Sequence, residues 1–215
     1  MKSPLLIKLF SGFVRLTGFV PALIFFKPRV KLENERATRR LPKHAILVSN
    51  HTSLLDFVLY LVVFPLRTVR FLMAEVLFNK GKAFATFLSL LGGIRVDRNT
   101  FDFEFVSDAL EVLDRGGTLG VFPQGRLPVG GKPFPFTVST AFIALQTDAP
   151  IIPVYTDGRY GLNKRAGVII GEPLYLHDHK TDGLSDDEQL KALTALLEER
   201  IYALGDRLNE KETTA

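Results

Sequence analysis

In Asn50-His51-Thr52-Ser53-Leu54-Leu55-Asp56 an imidazole and a carboxylate stand five positions apart at the end of an apolar run. On one regular helix such side chains diverge by about 140°, at ~100° per residue. They meet only if His51 lies in a turn and Asp56 on the first turns of the helix that follows, and Thr52 or Ser53 as the N-cap would give that arrangement. A carboxylate bonded to one ring nitrogen fixes the tautomer and makes the other nitrogen a general base for an alcohol. The same spacing also suits a capping aspartate beside a satisfied histidine, and spacing alone leaves both open. Ser53 is a weak candidate nucleophile, because no Gly-x-Ser-x-Gly elbow surrounds it.

Two more polar blocks follow. Gly92-Gly93-Ile94-Arg95-Val96-Asp97-Arg98 reads as a strand entered through glycines, with Arg95 and Asp97 on one face and Arg98 at its end, in reach of an anion. Val121-Phe122-Pro123-Gln124-Gly125-Arg126, continuing to Lys132, offers glycines, backbone amides and two basic groups, which is chemistry suited to a phosphate. Without a Gly-Lys-Ser/Thr ending it is not a nucleotide P-loop.

The elements that must position these blocks alternate. Strands are expected at 45–49, 69–73, 94–96, 118–122 and 151–155, and helices at 54–63, 80–91, 101–113 and 136–146. That pattern predicts a single α/β domain with a mostly parallel central sheet flanked by helices. Each polar block follows a strand, where ligands of such sheets gather. A capping box at Ser185 and Glu188 opens a last helix, 185–208, whose leucine stripe is core and carries no chemistry.

A chain of 215 residues, 47% hydrophobic, can bury one sizeable core. The absence of cysteine excludes disulfides, thiolate metal sites and a cysteine nucleophile. The net charge of +4 matters less than its placement. Lys2, Lys8, Arg15, Lys27, Arg29 and Lys31 are interleaved with Phe, Leu, Ile and Val, a mixture that points to a membrane surface and away from nucleic acid. The uninterrupted apolar run Leu16–Phe26 is too short to span, and Pro21 is expected to break the second half of the segment. Leu5, Leu6, Leu9, Phe13, Leu16 and Val20 share one helical face, as in a helix lying in the bilayer interface. The alternative is a terminal helix packed on the core. Residues 1–30 are accordingly assigned to an interfacial anchoring segment and 31–215 to the α/β domain, with core motifs at 45–157.

In this order the blocks resemble the glycerolipid acyltransferase superfamily, which includes 1-acylglycerol-3-phosphate acyltransferases. Asn50, His51 and Asp56 match Asn-His-x-x-x-x-Asp; Gly93, Asp97 and Arg98 match Gly-x-x-x-x-Asp-Arg. Phe122-Pro123-Gln124-Gly125-Arg126 stands where the family has Phe-Pro-Glu-Gly followed by arginine and departs from it, with glutamine for glutamate and the arginine directly after the glycine instead of one residue later. Pro150, Ile151, Pro153 and Val154 match Pro-Ile-x-Pro-Val. The resemblance implies an O-acyltransferase in which His51, oriented by Asp56, deprotonates a lysophospholipid hydroxyl that attacks an acyl-CoA or acyl-carrier-protein thioester. It further implies Arg98 and Arg126 on the acceptor phosphate, Asn50, Gln124 and Gly125 shaping the cleft, and Pro153 and Val154 lining an acyl pocket. No metal or cofactor is implied, and the expected location is the cytoplasmic face of a membrane, peripheral or monotopic. Gln124 stands where the family has glutamate. If that charge organises the arginines, activity should be low or the acceptor different, and a lipid-binding member without turnover is the alternative.

Overall fold

The computed structural model describes residues 3–97 and 104–210. The strands are β1 (Arg29–Leu32), β2 (Ala45–Ser49), β3 (Val69–Ala74), β4 (Ile94–Val96), β5 (Thr118–Val121), β6 (Ile151–Thr156) and β7 (Gly167–Ile170). Among the described residues they form one sheet in the order β1-β7-β6-β2-β5-β3-β4. All neighbouring pairs are parallel except β6 and β7, so the β1–β7 edge runs against the other five strands. The α/β sheet expected from the alternation is therefore present, with a reversed edge.

The helices are α1 (Pro4–Phe26), α2 (Asp56–Val63), α3 (Glu75–Phe78), α4 (Lys82–Leu90), α5 (Glu104–Asp114), α6 (Ser139–Leu145) and α7 (Asp186–Glu210). They divide between the two faces of the sheet, and strand periodicity decides which residue serves which face. Ile46 and Val48 of β2 join the core under α5, α6 and α7, while Ala45 and Leu47 join the core shared with α2, α4 and the end of α1. Because β2 is covered on both sides, all five of its residues are buried, which is why it reads as an unbroken apolar run.

Several boundaries differ from expectation for local reasons. Helix α2 starts at Asp56, not at residue 54, and neither Thr52 nor Ser53 caps it. The amides of Thr52 and Ser53 donate instead to the Asp56 carboxylate, which holds residues 51–55 as a turn. Helix α6 starts at Ser139 because the Phe136 amide goes to Glu198 and the Thr137 amide to the Pro123 carbonyl. The start of the helix expected at 101–113 lies outside the described residues. The capping box is present: the Ser185 amide donates to Glu188 Oε2 and the Glu188 amide to Ser185 Oγ.

Helix α1 runs unbroken through Pro21, with one internal bond missing. Leu5, Leu6, Leu9, Phe13, Leu16 and Val20, the face expected to meet lipid, are all exposed, Leu16 most of all at 83%. The opposite side is docked. Ile7, Ser11 and Phe26 are buried, Phe10 meets Phe87 of α4 edge-on at 5.9 Å, and the Arg15 guanidinium donates to the carbonyls of Pro65 and Arg67. By length and composition α1 could also cross a membrane. Strand β1 starts at Arg29 and pairs with β7, so the division between residues 30 and 31 falls inside a strand.

Candidate active site

Ser49 ends β2, and the chain then turns sharply enough to bring His51 back over Asp56. Asn50 fixes that exit by gripping the end of the neighbouring strand β6: its Nδ2 donates to the Thr156 carbonyl and the Thr156 amide donates to its Oδ1, each at 2.9 Å. Asp56 is fully buried. Its Oδ2 accepts from His51 Nδ1 at 2.8 Å and from the amides of Thr52 and Ser53 at 2.7 and 3.0 Å. Its Oδ1 accepts from Thr52 Oγ1 at 2.9 Å and from Tyr160 Oη at 2.5 Å. Five donors offset the desolvation of a buried carboxylate without a permanent cation.

With Nδ1–H committed to Asp56, the His51 tautomer leaves its lone pair on Nε2, and no described group bonds there. The ring lies flat on Phe122 at 4.3 Å, and Phe122 lies flat on Phe71 at 5.3 Å. Gly120 makes room for that stack: a Cβ on it would come within 2.4 Å of the Phe71 ring. The imidazole is thus held by a hydrogen bond at one edge and an aromatic face below.

A cavity of about 760 Å³ opens beside this ring, within the range of small-molecule sites. Its polar lining includes His51, Glu75, Lys80, Asp97 and Arg126, and its apolar walls include Leu54, Phe57, Met73, Phe84 and Leu88. Glu75 is paired with Arg95. Arg126 is exposed and lies over the Phe134 ring at 5.4 Å. The arrangement provides an imidazole with a free ring nitrogen, cations able to meet an anion, and an apolar recess. A family model described as acyltransferase matches residues 29–157, which hold His51, Asp56 and Arg126.

The chain belongs to the acyltransferase family. It is 27% identical over 167 residues to a 1-acyl-sn-glycerol-3-phosphate acyltransferase of Limnanthes douglasii, covering 74% of this chain and 57% of that protein. It is 29% identical over 122 residues to the human beta form of the same enzyme, covering 55% and 44%. The chain therefore spans about half the length of these relatives. A Bacillus subtilis enzyme of the same name is 27% identical over 143 residues, covering 64% of this chain and 70% of that protein. The crystal structure of the 1-acyl-sn-glycerophosphate acyltransferase of Thermotoga maritima superposes with a TM-score of 0.60 at 24% identity, over 96% of this chain and 79% of that one, and shares its fold.

The structure brings His51, Gly125 and Arg126 to one cleft, with Asp56 bonded behind His51. Arg98 lies outside the described residues, although Asp97 just before it lines the cavity. Gln124 does not shape the cleft. The Gly125 amide closes a turn onto the Phe122 carbonyl, with Gly125 at φ 62°, and this turn directs Gln124 away from the cavity to α7. There its Nε2 donates to Tyr202 Oη at 3.3 Å and its Oε1, buried, has no partner among the described residues. The side chain that replaces the family's glutamate thus faces α7.

Pro153 and Val154 are also displaced from their expected role: neither lines the cavity. Both are interior residues of β6, where Val154 belongs to the core under α2 and Pro153 stands against Gly171. The apolar walls come instead from α2, β3 and α4. Sequence reading missed three contributors, namely Phe122 beneath the base, Lys80 in the lining and Tyr160 on Asp56. Phe122 carried a signal, since it opens the third block. Tyr160 carried none, being 104 positions from its partner. Burial first, and the neighbouring Asp56 carboxylate second, push the Tyr160 phenol far above its ordinary value, so it stays a donor at working pH.

Proposed function

We propose that this protein transfers an acyl chain from a thioester to the free hydroxyl of 1-acylglycerol-3-phosphate or a close lysophospholipid, with His51 as general base. The observation that carries the reading is the His51 Nδ1 bond to a buried, fully satisfied Asp56 beside a cavity whose lining includes Lys80, Arg126 and apolar walls. His51 Nε2 takes the hydroxyl proton as the oxygen attacks the thioester carbonyl. A carbon–oxygen bond forms, the carbon–sulfur bond breaks, and the imidazolium returns its proton to the departing thiolate. No acyl-enzyme is needed. Arg126 and Lys80, with Arg98, hold the acceptor phosphate, and the walls around Phe57, Met73 and Leu88 receive an acyl chain.

The names of the similar enzymes support 1-acylglycerol-3-phosphate as the acceptor. The donor is acyl-CoA or acyl carrier protein. Phe10 of α1 meets Phe87, Phe87 stacks on Phe84, and Phe84 lines the cavity, so the exposed apolar helix leads to the mouth. Docked along α2 and α4 with its outer face bare, α1 fits a helix lying in the interface on the cytoplasmic leaflet. The test is acyl transfer by purified protein in mixed micelles, with lysophosphatidate and other lysolipids offered to both donors. Product formed by the wild type and lost in His51→Ala supports the reading. Transfer surviving in His51→Ala would remove the base assignment, and no transfer to any lysolipid would leave a lipid-binding protein.

A further inference from the structure

We infer that Tyr160 is a positioning residue for the catalytic pair, and that the C-terminal end of α1 fixes where it stands. The inference rests on the reading of His51 as the base. Tyr160 sits in the connection between β6 and β7, and its Oη donates at 2.5 Å to Asp56 Oδ1, the oxygen not bonded to His51. The one phenolic hydrogen being committed there, Thr156 Oγ1 at 3.3 Å donates to the phenol, and the Gly158 amide donates in turn to Thr156 Oγ1 at 3.4 Å. Thr52 Oγ1 lies 3.4 Å from the same phenol and gives its hydrogen to Asp56. Two hydroxyls on Oδ1 resist rotation of the carboxylate, which keeps Oδ2 directed at His51 Nδ1.

The ring of Tyr160 is held from the other side by α1. Phe26, the last residue of that helix and itself buried, meets it edge-on at 5.1 Å and 83°. The Phe26 carbonyl accepts from the Ala166 amide at 2.9 Å, and Lys27 Nζ donates to the Leu162 carbonyl at 2.5 Å. The connection carrying Tyr160 is therefore stapled to the end of the apolar helix. At Gly158, φ is +68° and a Cβ would come within 2.8 Å of Thr52 Oγ1, so the glycine lets the connection lie close against the turn that holds His51. A tyrosine serving only to pack would tolerate loss of its hydroxyl.

Tyr160→Phe in the full chain, assayed in mixed micelles with lysophosphatidate and a long-chain acyl-CoA, separates the two roles. The expected result is kcat lower by about tenfold, the worth of one charge-assisted hydrogen bond. The KM for lysophosphatidate should stay within about twofold, because the residue does not line the cavity. The downfield proton resonance of the His51–Asp56 hydrogen bond should move. Wild-type kcat with an unmoved resonance, or an effect confined to KM, would overturn the assignment. Phe26→Leu keeps every donor to Asp56 and loosens only the ring. It should lower kcat by about threefold and displace the same resonance, about half the effect on a logarithmic scale, and an unchanged kcat and resonance would overturn the role of α1. It also supplies the decision if Tyr160→Phe fails to fold. If His51→Ala retains transfer, the base reading fails; if His51→Ala is inactive while Tyr160→Phe matches wild type, only the positioning inference fails.

Discussion

Asp56 and Gln124 stand at the exits of adjacent strands, β2 and β5, and the fold treats them in opposite ways. Asp56 is buried with five donors on two oxygens. Gln124 is equally hidden, yet makes one long bond to Tyr202 and leaves Oε1 without a partner among the described residues. A buried carboxylate is tolerated only when its charge is spread over strong hydrogen bonds, whereas a neutral amide survives with much less. The difference teaches where this site is built to be rigid. The His51–Asp56 pair is over-determined, and the Gln124 side chain, where the chain departs from the family pattern, packs toward α7 behind the cleft.

The comparison can be broken most directly at Asp56. Asp56→Asn should lower kcat by roughly 10²–10⁴-fold, the range of a lost general base, because the amide cannot hold the same tautomer of His51. Initial rates of acyl transfer check this, and a variant with more than a tenth of wild-type kcat would contradict it. Arg126→Ala should reduce kcat/KM for a phosphate-bearing acceptor by about 10–100-fold, as loss of a charge-assisted contact of ~1.5–3 kcal/mol predicts. The loss should be much smaller for a neutral monoacylglycerol. Equal losses for both acceptors would sink the phosphate contact.

On stability, Gly158→Ala should cost about 1–3 kcal/mol in denaturant unfolding, since a Cβ meets Thr52 at a positive φ. At the other exit Gln124→Leu should shift stability by less than about 1 kcal/mol, and kcat by less than about threefold, because replacing a poorly satisfied polar group by an apolar one of similar shape is nearly neutral. A large activity loss in Gln124→Leu would put that side chain back in the mechanism.

The smallest effect concerns alkaline pH. The folded Tyr160 phenol titrates above its unfolded value, so its contribution is whole below the unfolded value of about 10 and is lost as pH rises toward the folded one. Tyr60, buried and beside Tyr160 and Asp56, behaves in the same sense. Melting temperatures measured from pH 9 upward should therefore fall less steeply in Tyr160→Phe than in wild type. A steeper fall would reverse the sign assigned to this group.

Strands β2 and β4 were legible to the residue, β2 as a short apolar run closed by a polar block and β4 as an alternating segment entered through glycines and left through Asp97. The long last helix was legible to within about two residues because its capping box and leucine stripe are local. The requirement that His51 lie in a turn ahead of Asp56 followed from helical geometry alone, and so did the exposed face of α1. The edge strand β1 and its neighbour β7 were not legible. The first is a basic, half-exposed segment defined by its pairing with β7, and β7 is a four-residue apolar run set between β1 and β6. Periodicity says which residues share a face, but a turn can redirect a side chain by half a revolution. The φ 62° turn at Gly125 therefore decided that Arg126 enters the cleft while Gln124 leaves it. Coverage of both sheet faces put Pro153 and Val154 into the interior. Tyr160 reaches Asp56 only because β6 lies beside β2, a contact between distant parts of the chain that no local pattern encodes.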